Sequence, residues 1–598
     1  MRGDRAGRRL RIEITYTDER MTSWDHAVQQ TLRTGILIAV SVVSVVATAQ
    51  MPMAELPRVK IKTSWDQPTG GKTWNAHTSE DFSAALAKSN PGDVIVLDAG
   101  ASYVSKFELP AKNNPEKKWI YIVSSAIAKL PEGKRVGPSD ALNMPRLLTA
   151  SATPVLLAAA GANHWRLAGL EVTSESKVVP RDSLSRNGFT YLLIGSEAQS
   201  QPLPDSITID RCFIHGSPVQ DIKQGVQANA SNYAIVDSYI SDIHAQGMDS
   251  QAVLAFDTPG PIKLVNNYLE AAGENVMFGG SGRNSNRGVP SDIEIRNNNL
   301  FKPLDWAEPG VSLRPNPKWV VKNAFELKSA QRVLFDGNVI ENVWAAAQSG
   351  FAVLLTVRTS QSGDFAVVSD VTITNNILKN VVSGFGALAK DDECGGPAFE
   401  KCQNAGAQKN WYIANNLILF YDPNKPGGYR NIGLSINGGF DRMHGSYGVL
   451  QDLVFQHNTM ASLSSSPCRA SLFFGVGRRE PPFSNITDNI WVVDNVLCRP
   501  PTGDFGLQGT AGLTQYMGDS SNHIGLDKRF YGNVIPVYAD DRVEHYPSHN
   551  LVTPKQLRWV DPTNGDYDLA EPKWTQTTDG KPAGVNSSAL PQMSVTVR

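Results

Sequence analysis

The chain has 598 residues, 41% of them apolar and 19% charged, with a formal net charge of −2. That balance excludes the basic footprint that nucleic-acid binding leaves. Fifty glycines and many asparagines call for frequent turns, and a repeat architecture accommodates this length without several compact domains.

The first strong segment is Arg33, the apolar run Gly35 to Val46, then Ala47-Thr48-Ala49. A positive start, a short apolar core and a small-x-small site are the parts of a secretory signal. We expect cleavage after Ala49, so residues 1–49 are an extension plus signal peptide. The apolar run is short for a membrane span. The expected product is secreted, to the periplasm or the medium, with no membrane association after cleavage. Residues 1–20 fit no signal, and a start at Met21 would give one of ordinary length.

Residues 50–74 form an N-terminal segment. Thr78 to Ser89 (TSEDFSAALAKS) then reads as a short helix. Thr78 and Asp81 are spaced as a capping box, and Phe82, Ala85 and Leu86 share one face. PGDVIVLDAG follows, a turn and a first strand.

One pattern then recurs: apolar-x-apolar-x-x-Asn-x-apolar. Clean copies begin at Ile262, Ile293, Val333, Val371, Trp411, Leu453 and Ile490. Their Asn slot holds Asn267, Asn298, Asn338, Asn376, Asn416, Asn458 and Asn495, and earlier copies put Leu170, Cys212 and Ser238 there. Alternating apolar and polar residues are strand periodicity. One such unit cannot bury its own apolar face, whereas stacked units bury a continuous core. An amide in the same slot of each coil can bond up and down the stack. The expectation is an all-β parallel β-helix solenoid of about ten coils over 75–500, capped by the helix. Residues 501–598 read as an irregular segment, with a last strand at DYDLA (566–570).

Five cysteines are present. Cys394 and Cys402 flank a Gly-rich loop and could close it. Cys468 and Cys498 could join neighbouring coils. Cys212 occupies an inward slot and reads as a small buried apolar residue. Export permits disulfides.

A second strand precedes each Asn motif. Aligned on inward apolar residues, these strands end at Asn229, Asp257, Gly279, Lys328, Arg358 and Asn437, with Lys390 near the slot of an ambiguous coil. Residues two earlier, such as Glu326 and Thr356, also point outward. This register puts Lys328 and Arg358 on adjacent rungs, about 5 Å apart. A polyanion would turn their mutual repulsion into attraction.

The capping helix, PGDVIVLDAG and serial Asn coils resemble the right-handed parallel β-helix superfamily of secreted bacterial proteins, of pectate-lyase-like fold, over roughly residues 75–500. That resemblance implies the fold more than an activity, since the fold hosts lyases, hydrolases, epimerases and adhesins. FELKSAQRVLFDGNVI (325–340) is similar to the segment carrying the lysine base in lyases of the chondroitinase-B and alginate-lyase kind. The resemblance implies Lys328 as base and Arg358 as the partner that neutralises charge or protonates the leaving oxygen. It also implies calcium held by carboxylates and an asparagine, a pattern Glu326 fits in part. The chain departs from the family at Gly279, where a charged residue is expected, and by an insertion from Gln361 to Asp370.

Glu270 and Glu274, beside the column, are candidate metal ligands. Asp257, Glu326, Asn437, Trp306 and Trp344 are candidates for substrate binding, the tryptophans by stacking on sugar from loops beside the column. Asp391-Asp392 are adjacent carboxylates of the kind an inverting glycosidase pairs. The sequence reading is therefore a polysaccharide lyase acting by β-elimination on an acidic, uronate-containing polysaccharide. The alternative is a non-catalytic glycan-binding or cell-surface solenoid, and an epimerase or glycoside hydrolase comes third. The G-H-G, N-T-D and R-I-K signatures of β-helix polygalacturonases are missing. A covered, capped stack reads as a monomer.

Overall fold

The computed structural model describes residues 51–592 except 152, 176–188, 196–200, 281–287, 308–318, 359–365, 392–407, 423–430, 442–445, 463–469, 476–486, 499–528 and 538–545. The described residues form a right-handed parallel β-helix. Three parallel sheets of 14, 11 and 11 strands run its length. We call them A, B and C in the order each coil visits them. A coil around residue 340 runs through Ala330–Asp336 in A, Val339–Val343 in B and Phe351–Thr356 in C. Each strand pairs in register with its equivalents one coil before and one coil after, as Val333 does with Ile293 and Val371. The sequence reading counted two strands per coil. The third, in sheet B, is hidden in the x-apolar piece after each Asn, which is only three to five residues long here (Asn299–Phe301, Ile377–Val381).

Alternation sets the interior. Val333 and Phe335 point inward with Ile293 and Ile295 below, in a core that continues along the stack. The turn from A to B explains the asparagines. The residue before the ladder slot adopts a left-handed backbone, at Asn266, Asn297, Asn375, Asn415, His457 and Asp494 with φ between 51° and 62°. Asparagine and aspartate tolerate that region better than other side chains. The ladder residue itself is buried. Asn376 donates its backbone N–H (3.1 Å) and Nδ2 (2.8 Å) to Asn416 Oδ1, while its own Oδ1 accepts from Asn338 N (2.8 Å) and Nδ2 (3.1 Å). The ladder starts at Cys212 and Ser238, where Cys212 N–H donates to Ser238 Oγ. It outlasts the expected boundary at 500. Asn495 hands on to Asn533 and Asn533 to Asn550, and Val534–Pro536 pairs with Leu551–Thr553 in sheet B.

The helix α1 (Ser79–Lys88) caps the first coil with the expected Thr78/Asp81 capping box, and buries Phe82, Ala85 and Leu86. Cys212 is free and buried, its thiol pushed up to about 12 by burial. Cys498 is disulfide-bonded. Cys394, Cys402 and Cys468 lie outside the described residues.

Two straps lie lengthwise on the solenoid. Residues 51–66 cross the outer face of sheet A against chain order. Met51 packs near Trp491 and Tyr531 of late coils. Glu55 N–H meets Asp370 and Arg58 N–H meets Asp292. Thr63 and Ser64 carbonyls accept from Arg166, and Trp65 reaches Tyr121 of an early coil. The second strap follows the antiparallel pair Arg558–Asp561 and Asp566–Glu571. It lays Tyr567 and Val585 over Ile377, Leu417 and Ala461 on sheet B. The strand expected at 566–570 is the second member of that pair.

Candidate functional site

The charged residues gather on the outward face and the C-terminal edge of sheet C. In Phe325–Leu327 the outer residues of the triplet are core, so Glu326 faces outward, yet it is 2% exposed. Its carboxyl meets that of Glu274 from the preceding coil. Burial first, and the Glu274 charge in addition, push Glu326 up to about 7 against the opposing pull of Lys328. Asn323 Nδ2 donates to Glu326 Oε2 at 3.2 Å and to Gln348 Oε1 at 2.6 Å. Glu274 ends a polar ladder in which Gln224 Nε2 donates to Gln251 Oε1 (3.1 Å) and Gln251 Nε2 to Glu274 Oε2 (2.8 Å). Lys322 Nζ stands 3.7 Å from Glu274 Oε1 and 2.5 Å from Asp249.

At the other end of the line is the predicted pair. Arg358 N–H donates to the Lys328 carbonyl at 3.0 Å, so the two residues sit on neighbouring coils. Each cation has its own carboxylate. Lys328 Nζ is 3.7 Å from Glu326 Oε1, and Arg358 Nη1 is 2.9 Å from Asp391 Oδ1. Asp391 thus braces the arginine. Gly279 and Gly280 explain the departure noted in the sequence. Both have left-handed φ (80° and 89°), and a Cβ on Gly280 would stand 2.6 Å from Lys328 Cδ. The glycines clear room for the lysine to fold back over the preceding coil.

The column as first aligned needs correction. Ala255 pairs with Phe278, which puts Asp257 level with Gly280 rather than Gly279. Leu327 pairs with Leu355, Thr356 with Leu388 and Leu388 with Asn437, so Lys328, Thr356 and Asn437 share a level and Arg358 lies beyond it. Asp257 is buried, and its N–H is held by Asn229 Oδ1. Asn437 is half-buried and donates to Ser435. Alignment on inward apolar residues is blind to a two-residue step, which is the Arg358 offset, whereas the Asp257 offset is a single residue in the turn after the strand.

The tryptophans do not flank the pair. Trp344 is 2% exposed and packs with Trp319, Val321 and Tyr421. Trp306 is half-buried, edge-on to His244 at 5.4 Å. Both belong to the turn from B to C. The six-residue strand Phe351–Thr356, roughly 20 Å long, lies between that turn and Arg358. The two glutamates proposed for metal also part company. Glu270 accepts from Asp242 N–H (3.1 Å) and Tyr268 Oη (2.8 Å), so its oxygens hold a turn. Glu274 meets Glu326 instead.

Sequence reasoning missed Asn323, Lys322 and Lys302, and read Asp391 only as one of two adjacent carboxylates. Lys302 is wholly buried, its Nζ 2.8, 3.1 and 2.5 Å from the carbonyls of Ala271, Ala272 and Gly273, and burial lowers it to about 7 against the pull of Glu274 and Glu270. It fixes the turn that presents Glu274. Only an unexpected lysine in the apolar-flanked LFKPL segment hinted at it.

Two oxygens here are buried without a hydrogen-bond partner, Glu274 Oε1 and Asn323 Oδ1. Such oxygens are of the kind a hard divalent cation takes, although Lys322 Nζ lies 3.7 Å from Glu274 Oε1 and Asn323 turns its Nδ2 to Glu326.

No family model and no curated protein matches the chain. Solved structures with a similar backbone path include an alginate lyase from Paenibacillus sp. str. FPU-7, at 13% identity, 68% of this chain, 99% of that one and TM-score 0.33. The PL6 family alginate lyase AlyGC aligns at 14% identity over 87% of this chain, with TM-score 0.46, and this chain spans 57% of its length. A polygalacturonase from Erwinia carotovora ssp. carotovora aligns at 10% identity, over 70% of this chain and 98% of that one, with TM-score 0.36. The fold of the described residues is a right-handed parallel β-helix. Among the described residues no helix is long and apolar enough to cross a membrane.

Proposed function

We propose that this protein is a secreted, carbohydrate-active enzyme that cleaves uronate-containing polysaccharide by β-elimination. The observation that carries this reading is the outward pair Lys328 and Arg358 on adjacent coils, joined to the buried Glu274/Glu326 carboxyls. The Lys328 amine takes the C5 proton alpha to the uronate carboxylate. The C4–O bond breaks, a C4=C5 double bond forms, and the leaving oxygen takes a proton from solvent. The Arg358 guanidinium, which stays charged, offsets the negative charge that develops on the carboxylate. Asp391 holds Arg358 in place. Glu274, Glu326 and Asn323 would hold a calcium ion, which supplies further positive charge to the uronate carboxylate. The partner is an acidic polysaccharide and the chain acts as a monomer.

One observation favours the second reading, a non-catalytic glycan-binding solenoid: both cations already face a protein carboxylate. The deciding experiment incubates purified protein with pectate, alginate and glycosaminoglycans, with and without calcium. Ultraviolet absorbance of an unsaturated uronate supports the lyase. Its absence on every polymer, with binding retained, supports the solenoid adhesin.

A further inference from the structure

The left-handed slot before each ladder asparagine forms a second column on the surface. Asn266 donates to Asp237 there at 2.7 Å, and Asn415 to Asn375 at 2.8 Å. On the next two coils the column changes chemistry. His457 and Asp494 replace the amides, on consecutive rungs and in the same backbone state, with φ of 51° and 62°. The following coil has Gly532, whose absent side chain leaves room for the Asp494 carboxylate, 2.2 Å from where a Cβ would stand.

Into this gap comes the C-terminal strap. Asp579 Oδ1 stands 3.3 Å from His457 Nε2, and Asp494 Oδ2 stands 3.7 Å from it. All three ligand atoms lie within 4.8 Å of one another. Around a tetrahedral ion with bonds near 2.0–2.1 Å, neighbouring ligand atoms are roughly 3.4 Å apart. The histidine is set for such a role. Its Nδ1 donates to the Gly584 carbonyl at 3.2 Å, which turns Nε2 to the two carboxylates. Nε2 is itself buried without a hydrogen-bond partner, although it faces two carboxylates. The side chain of Asp494 is wholly buried and is braced by the Thr578 N–H (2.9 Å) and by Gln456 Nε2 (3.1 Å). Gly584 is obligatory in this arrangement. Its φ is 87°, and a Cβ would lie 2.6 Å from Thr459 Oγ1.

We propose that His457, Asp494 and Asp579 bind a divalent transition-metal ion of the zinc class, which clasps the C-terminal strap to the coils. One imidazole and two carboxylates suit zinc better than calcium or magnesium, which prefer oxygen alone. A solvent molecule completes the tetrahedron. The site is apart from Lys328 and Arg358, and its role is to hold the strap that covers sheet B.

The test uses the tag-free, full-length secreted protein, stripped with chelator and titrated with zinc chloride by calorimetry and thermal melting. We expect one zinc per chain. At a hundredfold excess over its dissociation constant, zinc should favour the folded state by a factor of about 100. The strap should also resist proteolysis when zinc is present. Asp579→Asn and His457→Ala should lose the zinc-dependent shift, whereas Glu274→Gln should keep it. Asp579 is partly exposed, so its variant keeps the test valid if His457→Ala folds poorly. Absence of zinc binding in the wild type, or binding unchanged in Asp579→Asn, overturns the proposal.

Discussion

The backbone N–H of Arg358 donates to the carbonyl of Lys328 at 3.0 Å, so the two cations share one hydrogen bond between coils. Their side chains then diverge to separate carboxylates, Glu326 and Asp391. Both side chains stay partly exposed at that edge.

Lys328→Ala should lower turnover of a uronate polymer by roughly 10²–10⁴-fold with its circular dichroism unchanged. Asp391→Asn, which weakens the brace on Arg358, should cost about tenfold. Equal activity in Lys328→Ala and wild type would remove the lysine from the chemistry.

Gly280→Ala tests the space above the lysine. The new Cβ would meet Lys328 Cδ, at a left-handed φ of 89°. We expect about 1–2 kcal/mol of destabilisation in denaturant melts, and an activity loss larger than stability explains.

The ladder predicts an asymmetry between neighbours. Asn376→Ala removes a buried amide and leaves the Asn338 N–H without its acceptor, and should cost about 2–4 kcal/mol. Asn375→Gly, one residue earlier at φ 58°, should cost less, about 1 kcal/mol, because glycine adopts that backbone freely and only the part-buried bonds to Asp336 and from Asn415 are lost. Denaturant midpoints of the two variants check this.

Glu326 gives a pH signature in chelated protein. Its carboxyl titrates near 7 in the fold, raised by burial from an ordinary 4.5. Between those values the folded state binds more protons than the unfolded, so stability falls as pH rises through the window. The drop is at most about 3 kcal/mol. Glu326→Gln should flatten the slope between pH 4.5 and 7. An unchanged slope would show that another group is responsible.

Much of the fold was legible because the ladder repeats one residue type in one slot, and the core repeats apolar residues around it. Sheet B escaped because Asn299–Phe301 is too short to show alternation. In the site, Lys328 and Arg358 were legible because each follows a short apolar strand that precedes an Asn motif. The Glu274–Glu326 contact was not, because 51 residues of varying loop separate the two. Asp391 was noticed as half of a carboxylate pair, yet its partner is a guanidinium one coil away. His457 and Asp579 are brought together only by the return of the chain's tail over the coils.

The sheet A strap carries a consequence for the order of events in synthesis. Residues 51–66 are made before every coil, yet Met51 rests beside Trp491 and Tyr531. From the strand of Trp491 to that of Arg166 is nine strand spacings, roughly 43 Å. The fourteen extended steps from Met51 to Trp65 cover that distance with little slack. Met51 therefore has nowhere to dock until the last coils exist. Its seating reports that the solenoid is complete.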